Sequence, residues 1–228
     1  MAMAAPLVLG ACATGRMVVP AGLEPVPALE VHGRTGFNAG QNLTFGDFRV
    51  DEVSHGSTRT RREQVAMTSS HEQADERLRF RLREGSAAPV RVRCGQTAAQ
   101  GRTDVPLLGE VTHGFRSALS CTVRPESDSA TIWRMELTEG RASTGTLDGG
   151  GATYRIVATD RMTGTSMHGG DPTGYVFQLD GRTVAAVDVL NGGVVRIDPS
   201  LPADQRAAIA ASMTALLLRA DLEHELDA

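Results

Sequence analysis

The chain of 228 residues contains no lysine, so all 23 of its basic residues are arginine, and only 4% of it is aromatic. Its formal net charge of −4 argues against general nucleic-acid binding, which needs a basic surface. The sequence has no histidine pair at metal-ligand spacing and no Gly-x-Ser-x-Gly motif around a nucleophilic serine. We therefore expect no nucleic-acid partner, no metal, no other cofactor and no catalytic residue of these kinds.

The sequence also lacks a C-terminal apolar segment long enough to cross a membrane. Residues 207–218 read AAIAASMTALLL, in which Ser212 and Thr214 are the only polar residues. Twelve helical residues span about 18 Å, whereas a bilayer needs about 20 apolar residues. A helix that is apolar on every side must be surrounded by protein. We predict a core helix over 201–220, enclosed by the strands that precede it.

The residues around this helix predict where it begins and ends. Ser200 is the predicted N-cap, and Pro202 fits the first turn, where its missing N–H costs nothing. Asp204 suits the positive end of the helix dipole, and Arg219 lies near the negative end. We expect the acidic tail that follows to fray.

Between residues 42 and 201 the sequence predicts strands and turns without a long helix. The clearest strand is 77–83, where arginine alternates with apolar residues, and 90–94 repeats the pattern after a turn. Asp180-Gly181 and Asn191-Gly192 are typical of two-residue hairpin turns. We count about ten to twelve short strands, at the spacing expected of a sandwich or a barrel.

The strands and the helix together resemble the tubby-like C-terminal fold. The resemblance is carried by residues 175–179, 180–181, 184–189, 194–197 and 207–218. It implies a mainly β protein, in which an antiparallel barrel of about twelve strands encloses one apolar C-terminal α-helix. That family includes phosphoinositide-binding and scramblase-related members, but no position here matches one of its lipid-binding residues. The alternative is a β-sandwich with the C-terminal helix packed on one face.

The N-terminal segment resembles a bacterial lipoprotein signal. Residues 4–11 are apolar, and Leu9-Gly10-Ala11-Cys12 resembles a lipobox, although no basic residue precedes the run. The resemblance implies a signal peptide over 1–11, a lipid on Cys12, a proline-rich tether over 12–36 and one domain over 37–228. Ala13 resembles the signal for sorting to the periplasmic face of the outer membrane. The alternative is an ordinary start with an isolated cysteine.

The two remaining cysteines, Cys94 and Cys121, both lie in strand-like runs. An even number of cysteines in an exported protein favours a disulfide, whereas two free thiols are expected in a cytosolic protein. We predict a disulfide with Cα atoms about 5.5–6 Å apart. Such a bridge stabilises the fold by about 3–4 kcal/mol in the chain-entropy model.

The arginine-rich strands 77–83 and 90–94 are the candidate anion-binding site. If they form a hairpin with Leu82 opposite Val92, arginines face arginines across the two strands, namely Arg81 opposite Arg93 and Arg83 opposite Arg91. Like charges directly opposed destabilise a sheet, so a neutralising partner is expected. The candidate residues are Arg79, Arg81, Arg83, Arg91 and Arg93.

Two kinds of partner remain open for these arginines. Carboxylates on neighbouring strands, for instance Glu110 or Glu136, would make the charges a solvated surface feature. An anionic ligand such as a lipid phosphate would make them a binding site, because the planar fork of arginine suits phosphate oxygens.

Three functions are compatible with these patterns. The first is a lipid-anchored cell-envelope protein with a non-catalytic structural or binding role, whose partner is the membrane, an anionic lipid or an envelope protein. The second is an envelope hydrolase with a site in the glycine-rich loop 163–173, which contains His168 and Asp171. The third is a lipid carrier, which the apolar helix disfavours because it would already fill a barrel of this size.

Overall fold

The computed structural model describes residues 15–34, 42–107, 109–128, 131–140, 143–165 and 171–227. These residues form one antiparallel sheet and two C-terminal helices. The strands are β1 (Leu29–Glu30), β2 (Thr44–Phe45), β3 (Phe48–His55), β4 (Arg59–Ala66), β5 (Ser69–Glu84), β6 (Val90–Val105), β7 (Gly109–Pro125), β8 (Trp133–Glu139), β9 (Thr144–Gly149), β10 (Ala152–Thr159), β11 (Gly174–Leu179), β12 (Arg182–Asp188) and β13 (Val194–Ile197), and the helices are α1 (Ala203–Leu218) and α2 (Leu222–Asp227).

The sheet curls into a nearly closed barrel. From β5 to β13 each strand pairs with its neighbours in the chain, and β1 pairs with β13. The circuit continues at His32 and Thr44, whose backbones exchange hydrogen bonds of 2.9 and 3.0 Å. Since β3 and β4 lie end to end along β5, twelve strands surround the interior. This arrangement confirms the predicted barrel, agrees with the tubby-like fold and rules out the sandwich.

Helix α1 occupies the interior of the barrel. Every residue from 208 to 218 is buried, with Ile209 at 0% and Leu216 at 1% exposure. Strands on both sides of the circuit contact it, β5–β7 on one side and β12–β13 on the other. The hydroxyls of Ser212 and Thr214 each donate to a backbone oxygen one turn earlier, at 2.9 Å. The predicted central helix is therefore confirmed, and its two polar side chains are satisfied within it.

The N-terminus of α1 differs from the prediction. The N-cap is Pro202, with extended backbone and no side-chain capping bond. Ser200 lies in the preceding turn, where its hydroxyl and its backbone N–H both donate to the carboxylate of Asp198. Its hydroxyl is thus engaged by an Asp two residues earlier, which is why it does not cap the helix.

The acidic tail is ordered, contrary to our expectation that it would fray. Residues 222–227 form α2, which buries Leu222 and Leu226 against Ala74 and Ala98. Leucines four residues apart share one face of a helix, so even this charged segment has an apolar stripe. Burial of that stripe on β5 and β6 holds the tail in place.

Three strands extend well beyond the barrel. β5, β6 and β7 have 16, 16 and 17 residues, and their far halves pair with each other and with β4. We call this four-stranded extension, residues 59–75 and 97–116, the arm. One side of it is backed by α2. The arm therefore leaves the barrel at the pole where α1 ends.

The predicted disulfide between Cys94 and Cys121 is present. The two residues are direct partners in the ladder between β6 and β7, and both side chains are buried in the interior. Their Cα atoms are 4.1 Å apart, closer than the predicted 5.5–6 Å. The direct pairing explains the difference, because opposed residues in antiparallel strands already lie about 4.5–5.5 Å apart.

Candidate anion-binding face

The predicted arginines lie on the outer surface of β5 and β6. Leu82 pairs with Val90, so Arg81 faces Arg91 and Arg79 faces Arg93. The predicted register is therefore wrong by two residues. The turn is tighter than expected, because the chain reverses directly after Glu84, whose backbone oxygen accepts the N–H of Ala87. A shift of two preserves parity, so every arginine keeps its predicted face.

Two glutamates neutralise part of this surface. Arg81 donates to Glu52 at 2.6 Å and to Glu126 at 2.9 Å, and Arg91 donates to Glu126 at 2.9 Å. Desolvation raises the pKa of Glu126, but the hydrogen bonds from Arg81 and Arg91 outweigh it and leave that pKa below its ordinary value. One opposed arginine pair is thus bridged by a shared carboxylate.

The carboxylates that we expected to neutralise the arginines are engaged elsewhere. Glu110 binds Arg102 at 2.6 Å and Arg62 at 3.4 Å on the arm. Glu136 accepts the hydroxyl of Ser120 at 2.8 Å. In the described part of the chain, neither carboxylate forms an ion pair with a candidate arginine.

The second opposed pair has no such bridge. Arg79 and Arg93 are exposed and face each other across β5 and β6. Within the part of the chain that the structure describes, neither side chain forms an ion pair or a hydrogen bond, and the same is true of Arg83. Opposed side chains in a sheet have Cβ atoms only about 4.5–5.5 Å apart. The two guanidiniums therefore leave an uncompensated positive charge on the surface.

Neighbouring strands enlarge this positive surface. Arg49 on β3 pairs with Arg83, and Arg124 on β7 pairs with Arg91. We define the arginine face as seven of the outward arginines of these four strands, with the three carboxylates that lie among them: Arg49, Arg79, Arg81, Arg83, Arg91, Arg93 and Arg124, with Asp51, Glu52 and Glu126. The face keeps a positive surplus although the net charge of the chain is −4.

Sequence reasoning missed Arg49 and Arg124, although a signal for both was present. Each stands beside a buried valine, Val50 and Val123, in an alternating pattern. Alternation places both arginines on the outer side of their strands. Alternation does not show which strands are neighbours in the sheet. The strand order decides whether the arginines of different strands lie close together.

A cavity of about 890 Å³ lies at the pole where α1 ends. Its lining includes Asp160, Asp171, Glu139 and Arg219. The loop 163–173 contributes Asp171 and Pro172, whereas His168 lies outside the described residues. No histidine lines the cavity among the residues that the structure describes.

The polar groups at the edge of this cavity are mostly paired with each other. Glu139 accepts hydrogen bonds from Arg219 at 2.5 Å and from the hydroxyl of Ser117 at 2.7 Å. The phenol of Tyr175 also donates to Glu139, and burial raises the pKa of this phenol far above its ordinary value. A carboxylate that receives three donors is held as a structural anion, because few of its lone pairs remain free.

Neither a metal site nor a membrane-spanning helix is found among the residues that the structure describes. In the described ranges no group of three or more His, Cys, Asp or Glu side chains is placed to hold a metal ion. Within the same ranges no helix has the length and the apolar content needed to cross a bilayer. Cys12 and the rest of the lipobox-like segment lie outside the described residues.

Comparison with known proteins does not extend these observations. No family model, no curated protein and no solved structure matches this chain.

Proposed function

We propose that this protein is a non-catalytic binding module of the bacterial cell envelope, which binds anionic lipid headgroups through the arginine face. The observation that carries the proposal is the opposed pair Arg79 and Arg93, exposed and without a partner in the described residues. Placing like charges opposite each other is unfavourable for the isolated sheet. A phosphate group between the two guanidiniums would replace this repulsion with charge-assisted hydrogen bonds.

The surroundings of this pair suit a planar array of headgroups better than a single small anion. The arginine face extends over four adjacent strands, and its guanidiniums project from a convex outer surface. Arginine binds phosphate oxygens in a bidentate manner, and anionic lipids present many such groups side by side. The interior of the barrel is filled by α1, which makes an acyl-chain carrier the weaker proposal.

We further propose that Cys12 is lipidated and attaches the protein to the periplasmic face of the outer membrane. The Cys94–Cys121 disulfide supports export, because such bridges persist in oxidising compartments. Labelling with radioactive palmitate is expected for the wild-type chain, expressed with its native start, and not for Cys12→Ala. An unlabelled wild-type protein would contradict lipidation of Cys12. It would not affect the proposal that the arginine face binds headgroups, which has its own test.

The arginine face is tested by vesicle cosedimentation of the full chain carrying Cys12→Ala. We expect binding to vesicles of phosphatidylcholine with phosphatidylglycerol, weakening as salt rises, and little binding to phosphatidylcholine alone. Arg79→Gln/Arg93→Gln should weaken binding to anionic vesicles about tenfold or more, because each surface arginine contributes about 1 kcal/mol.

The matched control is Arg155→Gln/Arg182→Gln. It removes the same charge from β10 and β12, outside the arginine face. This variant should bind anionic vesicles nearly as well as the parent. If both double variants lose the same amount of vesicle binding, the binding depends on net charge and not on the arginine face. No loss in either variant would disprove the proposed headgroup site.

Hydrolysis at the loop 163–173 is the second candidate function, and the position of Asp171 on the cavity wall favours it. Covalent labelling of the full chain by a fluorophosphonate probe, abolished by His168→Ala or by Asp171→Asn, would support it. Absence of labelling would leave the binding module as the better proposal.

A further inference from the structure

The exposed large hydrophobic residues of the described chain all lie at one place. They are Val65, Met67, Leu107 and Val111, and each belongs to the end of the arm. Met67 and Leu107 are fully exposed, in the turns that join β4 to β5 and β6 to β7. We call these four residues the tip. Scattered single apolar side chains need no explanation, but their confinement to one site does.

Backbone pairing brings the two turns together. Ser69 pairs with Thr103, and Thr103 pairs with Val111 in the last rows of the arm. The backbone N–H of Asp104 also donates to the oxygen of Thr68 at 2.7 Å, which links the two hairpin ends. Met67 and Leu107 therefore project from adjacent turns at the end of the arm, where both side chains are fully exposed.

Leu107 has an unusual backbone for a bulky residue. Its φ is +74°, in the left-handed region that glycine or asparagine usually occupies. The residue gains no packing inside the chain in return, because its side chain is fully exposed. Strain of this kind is typical of ligand contacts and other functional positions.

The arm holds the tip firmly away from the barrel. Glu72 and Glu110 both bind Arg102, each at 2.6 Å, and so join β5, β6 and β7. Arg102 also donates to the backbone oxygen of Leu226, which fixes α2 against the arm. These ion pairs and this hydrogen bond thus stabilise the arm that carries the tip.

We propose that the tip inserts into the outer part of a lipid bilayer. The proposal deepens the proposed function and rests on it for the membrane, but it uses different residues. Two convex turns with single long side chains need no complementary pocket when the partner is fluid hydrocarbon. Val111 and the arginines of β5 also lie on the same, outer side of the sheet, as their alternation shows. The arginines proposed to bind headgroups and the apolar Val111 of the tip therefore lie on the same outer surface of the sheet.

The path of the N-terminal segment also favours a bilayer. Asn191 donates to the backbone oxygen of Gly15 at 2.9 Å, and Arg34 joins Asn191 to the end of α1. The chain thus enters at the pole from which the arm projects. Cys12 precedes Gly15 by three positions, a distance of at most about 11 Å along the chain. A lipid on Cys12 would hold that pole against the membrane.

Fluorescence of an introduced tryptophan tests the insertion. The full chain carrying Cys12→Ala receives Met67→Trp, and Thr153→Trp serves as the control at an exposed position of β10, outside both the arm and the arginine face. The native Trp133 is buried and gives a constant background. On addition of phosphatidylcholine–phosphatidylglycerol vesicles, Met67→Trp emission should shift to the blue and resist quenching by iodide. Emission from Thr153→Trp should not change.

A second pair of substitutions measures the contribution of the tip to binding. Met67→Ser/Leu107→Asn keeps a residue that tolerates left-handed backbone at position 107. It should weaken partition into the same vesicles about tenfold or more, because two apolar side chains lose their burial. Its melting temperature should match that of the parent, since neither side chain packs in the fold.

The outcomes separate this inference from the proposed function. Binding that Arg79→Gln/Arg93→Gln abolishes, with unchanged Met67→Trp emission, would overturn insertion and retain the headgroup site. A blue shift on pure phosphatidylcholine, with the arginine variant unaffected, would support insertion and disprove the headgroup site. A dimer that Met67→Ser/Leu107→Asn dissociates, without any response to vesicles, would assign the tip to a second copy of the chain and overturn the proposal.

Discussion

The guanidinium of Arg219 lies over the ring of Tyr175, with its carbon 5.4 Å from the ring centroid. Both side chains donate to the carboxylate of Glu139, which also accepts the hydroxyl of Ser117. Ser117, Glu139 and Tyr175 lie on β7, β8 and β11, and Arg219 directly follows α1. These contacts therefore hold the C-terminal end of α1 against three strands of the barrel.

The first prediction is that Glu139 contributes to stability in a pH-dependent manner. Burial alone raises the pKa of Glu139, but Arg219 and the hydroxyl donors outweigh it, so that pKa lies below its ordinary value of 4.5. The folded carboxyl thus binds its proton less tightly than the unfolded one. Its contribution is present above about pH 4.5 and is lost as the pH falls through the lower folded value.

Thermal unfolding of Glu139→Gln across the acidic range measures this contribution. At neutral pH the variant should lose about 3 kcal/mol of unfolding free energy, because Arg219 keeps a largely buried charge without its partner. The difference in Tm from wild type should shrink on acidification. Glu136→Gln, whose carboxylate is exposed, should lose much less. A constant difference at all pH values would contradict the prediction.

The second prediction concerns the filling of the barrel. Leu216→Ala should lower the free energy of unfolding by about 2–5 kcal/mol, because the leucine side chain is 1% exposed and belongs to the hydrophobic core. Ser212→Ala, one turn earlier in the same helix, removes only a hydroxyl that donates to the backbone oxygen of Ala208 and should cost less than about 1 kcal/mol. Equilibrium unfolding in urea measures both. Similar losses would show that the interior is not specifically packed.

The third prediction is that the disulfide contributes to stability but is not required for the topology. Cys94→Ala/Cys121→Ala should lose about 3–4 kcal/mol, the value expected for a bridge across 27 residues. Far-UV circular dichroism should remain that of a β protein. Wild type unfolded under reducing conditions should match the variant. Two freely alkylated thiols in protein purified from the cell envelope would argue against the bridge.

The fourth prediction compares two glycines of the barrel, Gly145 on β9 and Gly95 on β6. A Cβ atom on Gly145 would lie 2.2 Å from the backbone oxygen of Glu136 and 2.9 Å from the Cα of Leu137. Gly145→Ala must therefore push β9 away from β8 and should cost about 2–3 kcal/mol or more. Gly95→Ala meets no atom within 4 Å and should leave the stability unchanged or slightly raised. Calorimetric Tm values distinguish the two.

The features predicted correctly are those that local sequence periodicity determines. A helix that is apolar on every side must lie in the interior of the protein, and strict alternation determines which side of a strand each arginine occupies. Asp180 and Gly181 have φ values of +51° and +78°, as their predicted two-residue turn requires. Each of these outcomes depends on a few adjacent residues.

The features missed depend on contacts between distant parts of the chain. Glu126 follows β7, and Glu52 sits at an irregularity of β3 with φ of +55°, so no alternation pattern indicates that they reach Arg81. Leu222 looked exposed within an acidic tail, yet it is 2% exposed because the arm offers it an apolar surface. Such pairings are decided by which strands become neighbours.

The closing pair of β1 and β13 has a consequence for how the chain reaches its native state. Leu29 pairs with Val195, and the helix that fills the interior begins only at Ala203. A chain emerging from its N-terminus therefore exposes the inner faces of all twelve barrel strands before the helix that covers them has been made. Contacts of such long sequence separation slow folding and leave apolar surface open to aggregation. We expect the nascent chain to depend on a holding chaperone until α1 is released from the ribosome.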